Sequence, residues 1–296
     1  MIQVLKTSLE MGLIFAILSM GVLLTYKILG IADMSVEGTF PLGAFIFALA
    51  MIKGLNPAVG MILSFIGGLL AGLITFLLYR KLKVASLLAG ILTMTILYSV
   101  NLRIVGKANV PLFNYQNLFT SIPYMNKMVI LLVIVLILKI ALDLFFKTEH
   151  GYMLVVTGDN ESLVKSLGKK PNTYIMIGIM LSNGLVSLAG SLMAQYQNFS
   201  DSQMGSTIIV TALASIIIGD TFLKNNLKIK PTTRAIIGAI IYKLISGIAI
   251  EKGLEPTDLK MITAFIVIIF IMYNNISSKV VSRIKDEMRN KNVENK

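Results

Sequence analysis

KTEHGYMLVVTGDNESLVKSLGKKP, residues 147–171, is a 25-residue polar segment set between two long apolar runs. Its reading decides how the rest of the chain is organised. Gly158 interrupts the segment, and Asp159 and Asn160 offer side-chain oxygens for a helix N-cap. Glu161 then places negative charge in the first turn, where the helix dipole favours it. Leu163, Val164 and Leu167 fall on one apolar stripe. Gly168 closes the helix and Pro171 forbids its continuation. A short, capped, amphipathic helix between two membrane-filling runs is built to dock against another protein.

Outward from this segment the chain is apolar in both directions. Hydrophobic residues make up 55% of the 296 and charged ones 14%, with a mean hydropathy of +0.79. That is the profile of an all-α polytopic membrane protein. A span needs about 20 mostly apolar residues. Nine stretches qualify as transmembrane or re-entrant helices: 11–29, 40–52, 57–79, 84–102, 128–146, 173–195, 206–222, 235–250 and 259–273. An architecture of eight or nine helices follows. The second, fourth and seventh are short or polar enough to be broken or re-entrant. The first has Glu10 before it rather than a basic flank, and no small-residue cleavage site, so it reads as a retained span.

Basic residues orient the spans. With 147–171 in the cytoplasm, the inside segments collect Lys27, Arg80, Lys81, Lys83, Lys224, Lys228, Lys230, Arg234 and a basic tail. The outside segments hold only Lys6, Lys53, Arg103, Lys107, Lys127, Lys252 and Lys260. This places the C-terminus inside. It gives one membrane domain, 1–278, and a charged cytoplasmic tail, 279–296.

Several function classes drop out. There is no cysteine and a single histidine, His150, so thiol chemistry and imidazole-rich metal sites cannot be built within one chain. The net charge of +12 is dispersed among apolar runs rather than gathered on a soluble face, which argues against nucleic acid as a partner. No Walker A pattern is present, and no Ser-His pairing supports a hydrolase. The glycine-rich runs FIGGLLAG and GSTIIV read as small-residue packing faces.

Polar groups inside spans need an explanation. Asp33 and Glu37 stand four apart; each reads either as a substrate or gating group or as part of a solvated helix entrance. Lys139 and Asp143, also four apart, read as a structural pair. Lys243 either lines an interior path or bonds the carbonyls of a broken helix. Thr93, Thr95, Tyr98, Ser99 and Asn101 cluster on the fourth span. Asn183, Ser187 and Gln195 make a polar line on one face of the sixth. A translocation path between these two faces is the expectation. The paired glycine-interrupted stretches GTFPLGAF with GILTMTILYS, and GSTIIVTALASIIIGD, hint at an internal repeat.

IADMSVEGTFPLGA (31–44) resembles the motif after the first span of ribose and branched-chain amino acid ABC permeases. LLAGILTMTILYSVNLRIVGKANVPLF (87–113) and YKLISGIAIEKGLEPTDLKMITA (242–264) resemble a narrower Gram-positive subgroup of tryptophan-type or uncharacterised ABC importers. The sequence departs from the wider pattern at Glu37, where glycine is common, at Lys243, where arginine is common, and at Asp220 in ASIIIGDTFL, where glutamate is usual. The resemblance implies a permease subunit of the cell membrane for a small solute, an amino acid, with tryptophan among the candidates. It implies a second permease copy or close paralogue, two ABC ATPase subunits and an extracytoplasmic substrate-binding lipoprotein. It makes GDNESLVKSLG the coupling helix, and it implies no cofactor and no catalysis by this chain. The competing classes are a stand-alone secondary transporter or channel, which needs midplane carboxylates for ion coupling, and an intramembrane enzyme using Glu37 or Asp220.

Overall fold

A computed structural model describes residues 1–122, 124–223, 229–255, 258, 261–265, 268–269 and 272. Among them, six helices are long and apolar enough to cross a membrane. α1 (Ile2–Leu23) runs on through a π-turn, Leu24–Ile28. α3 (Pro57–Phe76) continues likewise through Leu77–Lys81. The others are α4 (Ser86–Val105), α6 (Lys127–Phe145), α9 (Pro171–Gln197) and α11 (Pro231–Glu251). Two apolar helices are shorter, α2 (Val36–Ile52) and α10 (Ile208–Leu223). Between them lie α5 (Leu118–Ser121), α7 (Glu149–Asp159) and α8 (Glu161–Ser166).

The starts have local causes. Asn56 accepts from the Ala58 amide and Asn126 from the Met128 amide, capping α3 and α6. α3, α9 and α11 each begin on a proline, whose missing N–H is unneeded in the first turn.

α1 and α9 form the centre of the bundle and are buried on nearly all sides, whereas α3, α4, α6 and α11 each leave an apolar face exposed. α1 and α9 run antiparallel: Thr25 meets Ser182, and the Tyr196 hydroxyl donates to Glu10 at 2.9 Å. α1 packs along α11 as α9 packs along α3, and α2 lies on α3 as α10 lies on α11. Each grouping joins a central helix to a long outer helix and a short one: α9 with α3 and α2, and α1 with α11 and α10. Small residues allow the close approach. A Cβ on Gly72 of FIGGLLAG would lie 2.6 Å from the Ile179 carbonyl oxygen, so this run is the packing face expected of it.

α2 and α10 begin inside the bundle. The chain before α2 reaches Asn183, near the midpoint of α9, before the helix starts. The chain before α10 returns along α2: Ser200 donates to the Ala44 carbonyl at 3.0 Å, and Gly205 abuts the Glu37 carbonyl. The second and seventh expected spans are therefore short helices entered by non-helical chain. The fourth is a continuous 20-residue helix.

Four expectations are corrected. The first helix begins at Ile2 rather than at residue 11, and Glu10 is buried within it, satisfied by Tyr196. Asp33 is not one helix turn from Glu37, because α2 starts at Val36; nor is it solvated, being 3% exposed. A short antiparallel sheet, β1 (Asn109–Pro111) with β2 (Phe199–Asp201), qualifies the all-helical reading; it seals one end of the bundle with Val110 opposite Ser200. Gly158 does not break the chain but lies within α7. The ninth expected span, 259–273, lies in part and the basic tail, 279–296, wholly outside the described residues.

Candidate functional site

Two places gather candidate residues named from the sequence. The first is the α7–α8 segment. Thr148 caps α7, accepting from the Gly151 amide, and Asn160 caps α8, accepting from the Ser162 and Leu163 amides at 3.0 and 3.1 Å. Asn160 alone performs the N-cap; Asp159 is the last residue of α7. α8 ends in a Schellman closure: the Lys169 amide donates to the Val164 carbonyl and the Gly168 amide to the Lys165 carbonyl. Gly168 supplies the left-handed conformation this requires, with φ +72°.

The apolar stripe divides. Val164 is fully buried in a cluster with Leu29, Ile31, Phe76, Leu154 and Tyr174. Leu163 and Leu167 point away from it and are 48% and 54% exposed. One face of the helix therefore anchors the segment to the bundle, and the other is uncovered. A Cβ on Gly158 would overlap the Ile28 carbonyl, so the glycine lets α7 rest directly on the end of α1. Glu161 pairs with Arg80 at the end of α3. Lys169 donates to Glu149 at 2.7 Å, and that hydrogen bond holds the Glu149 carboxyl below its ordinary range. The segment is thus joined to α1, α3 and α9 together.

Among the described residues, Lys27, Arg80, Lys230 and Arg234 gather at this end. Lys27 and Arg234 both pair with Asp220. Asp143 accepts from Lys139 at 2.8 Å, from Lys230 at 3.0 Å and from the Thr232 hydroxyl at 2.7 Å. The expected Lys139–Asp143 pair is present, extended to α11. At the opposite end the Met1 ammonium pairs with Glu251.

The second place is a cleft of about 240 Å³ between the start of α2, α4 and the chain entering α10. Glu37, Gly38, Pro41, Met94, Thr95, Tyr98, Asn101, Ser202, Gln203 and Ser206 line it. Of the candidate pathway residues, Glu37, Thr95, Tyr98 and Asn101 meet here. Asn101 is 1% exposed; its Nδ2 donates to the Gly38 carbonyl at 3.1 Å, and its Oδ1 has no partner among the described residues.

The other candidates lie elsewhere. Thr93 joins α4 to α3 through the Thr75 hydroxyl at 3.1 Å. Ser187 donates to the Ser64 carbonyl, and the Gln195 Oε1 accepts from the Leu118 amide at 2.9 Å. Asn183 donates to Asp33 at 2.9 Å and accepts from Ser35 at 3.1 Å and Thr39 at 2.7 Å. The polar line on α9 does not face the cleft; it fastens α9 to its neighbours. Asp33 also accepts from the Ser35 amide, an Asx-type turn that starts α2 in the bundle. An Asp two residues before a Ser at a helix entrance is the sequence signal for that knot. Lys243 meets the Phe15 ring, 3.4 Å from its centroid, a contact no sequence spacing announces.

Comparison with known proteins completes the picture. Residues 4–272 match the family model described as branched-chain amino acid transport system / permease component. The chain is 45% identical over 266 residues to a tyrosine transport system permease protein of Clostridioides difficile, covering 90% of each. It is 26% identical over 265 residues to a probable branched-chain amino acid transport permease protein of Methanocaldococcus jannaschii, covering 82% of this chain and 79% of the relative. A solved structure, PsaBC from Streptococcus pneumoniae in complex with Fab, is similar over 82% of this chain and 90% of that one, at 16% identity and a TM-score of 0.45.

Proposed function

The chain belongs to the branched-chain amino acid transport system permease family, and from that premise we propose that it is the membrane subunit of an ATP-driven importer of an aromatic amino acid, driven through α7 and α8. It is an ABC-type permease of the amino acid transport families and a multi-pass protein of the cell membrane. The observation that carries the coupling reading is the divided face of α8. Val164 is locked into the bundle while Leu163 and Leu167 stand exposed beside it. A helix held rigidly on one side and uncovered on the other transmits a push from whatever docks there.

The docking partner in this reading is an ABC ATPase, two copies serving two permease chains, identical or closely related. The chain itself carries no ATP-binding motif, so hydrolysis belongs to that partner. An extracytoplasmic binding protein delivers the solute. The gathering of Lys27, Arg80, Lys230 and Arg234 at the α7–α8 end supports placing that end in the cytoplasm. Tyrosine as substrate is supported by the name of the 45%-identical relative. Glu37, Tyr98 and Asn101 line the cleft on the proposed path.

The test is co-expression of the chain with a candidate ABC ATPase and a candidate extracytoplasmic binding protein, followed by uptake of labelled tyrosine. ATP-dependent accumulation that needs all three is the expected outcome. Uptake by the purified chain alone, driven by a proton or sodium gradient, refutes the importer reading and establishes a secondary transporter.

A further inference from the structure

We infer that the cleft between the end of α6, the start of α11 and α7 is a binding site for one anionic phospholipid. Lys147 and Lys230 hold its phosphate, and its acyl chain lies along the apolar wall. This goes beyond the transport reading and needs only that the chain sits in a membrane.

The cleft has a volume of about 330 Å³, and its walls are almost wholly apolar, formed by Ile28, Phe146, Val155 and Pro231. It adjoins surface that faces lipid. Ile137, Ile140 and Leu144 recur at helical spacing on α6 and are all exposed. Lys147 continues that spacing just past the end of the helix. A lysine there runs its stem along apolar surface and carries its ammonium to the headgroups.

Both ammonium groups have hydrogen-bonding capacity to spare. Lys147 is exposed and has no ion pair among the described residues; Glu149, two residues on, is taken by Lys169. The Lys230 side chain is 49% exposed and spends one N–H on Asp143 at 3.0 Å, leaving two. Asp143 does not cancel the pair, because it also accepts from Lys139 at 2.8 Å. Lys139, Lys147 and Lys230 thus stand against one carboxylate. A soluble anion would satisfy the lysines and leave the apolar wall bare, and a neutral lipid would do the reverse. An anionic phospholipid satisfies both.

The position of the cleft gives the lipid a consequence. Val155 belongs to α7 and Ile28 to the π-turn that ends α1. A seated lipid therefore braces the segment that leads into α8.

The experiment uses the purified full-length chain in detergent, with equimolar phosphatidylglycerol and phosphatidylcholine added. Native mass spectrometry reads which lipid is retained, and amide exchange reads α7. Preferential retention of phosphatidylglycerol is expected, with slower exchange in α7. Lys147→Gln and Lys230→Gln each lower that retention about fivefold, and the double variant about thirtyfold, from about 1 kcal/mol per lysine. Lys81→Gln/Lys83→Gln removes the same charge from exposed positions beyond α3 and stays within about twofold. If Lys230→Gln fails to assemble, because it also takes a partner from Asp143, Lys147→Gln decides alone. The inference is overturned if phosphatidylcholine is retained equally or if Lys147→Gln retains phosphatidylglycerol at the wild-type level. Displacement of the lipid by inorganic phosphate overturns it as well, marking a free-anion site. Equal loss in the two double variants marks a diffuse basic surface, and expulsion of the lipid by the ATPase or a second permease copy marks a protein interface; either result also overturns it.

Discussion

The divided face of α8 makes a prediction in which two neighbouring residues behave oppositely. Leu163 and Leu167 are 48% and 54% exposed, so about half of each side chain remains to be covered by a partner. Fully burying a leucine is worth roughly 1.5–3 kcal/mol, so half corresponds to about 1 kcal/mol each. The double variant Leu163→Ala/Leu167→Ala should therefore lose about 2 kcal/mol of docking energy, roughly a thirtyfold weaker Kd for the ATPase. Its melting temperature should barely move, because exposed substitutions usually fall within about 0.5 kcal/mol. Val164→Ala should do the reverse. It removes two buried methyl groups from the cluster with Phe76, Leu154 and Tyr174, at about 2 kcal/mol once the cavity is counted. Thermal melting of the detergent-purified chain should drop while the Kd of the folded fraction stays unchanged. Titration of the ATPase onto nanodisc-embedded variants, beside melting curves, reads both. Wild-type affinity in the leucine double variant would remove the docking face from the argument. A Val164→Ala chain that melts normally but fails to bind would show that α8 is turned the other way.

Other substitutions test the remaining joints. Gly158→Ala forces a Cβ onto the Ile28 carbonyl; overpacking of this kind costs roughly 1–3 kcal/mol, and lowered melting with weaker substrate stimulation of ATP hydrolysis is expected. Gly168→Ala, at φ +72°, should cost about 1 kcal/mol and show as faster amide exchange in α8, with the core unaffected. Asn183→Leu takes a partner from Asp33, Ser35 and Thr39 at once; about 3 kcal/mol or more is at stake, so poor assembly is expected, and a wild-type melting curve would sink the knot as an anchor of α2. Asp143→Ala leaves Lys139, Lys230 and the Thr232 hydroxyl without their common acceptor; a lower melting temperature is expected, partly relieved by adding Lys139→Met.

Local chemistry accounts for what was legible. Asn160, Gly168 and Pro171 act through the backbone of their own segment, so their roles could be read one by one from the sequence. Lys139 and Asp143 meet because a helix brings residues four apart together. Gly158 misled because a glycine that breaks a helix and one that admits a neighbouring backbone look alike in a sequence. Val164 looked like its neighbours Leu163 and Leu167 because a stripe of three apolar residues does not say which edge is covered. The α9 polar line was assigned to a path because polarity within a span shows that a partner exists, not whether the partner is protein or solute.

By itself, then, the sequence determined the membrane class and the six long apolar helices found among the described residues, because lipid imposes a length and a hydropathy on every segment separately. It also determined the capped segment at 147–171. Only the tertiary structure decided that α2 and α10 start inside the bundle, that Asn183 is spent on Asp33, and that Glu37, Tyr98 and Asn101 share a cleft. Those outcomes depend on contacts between residues far apart in the chain. In a protein apolar on nearly every face, the hydrophobic pattern does not select which faces meet; close glycine contacts and paired polar groups do.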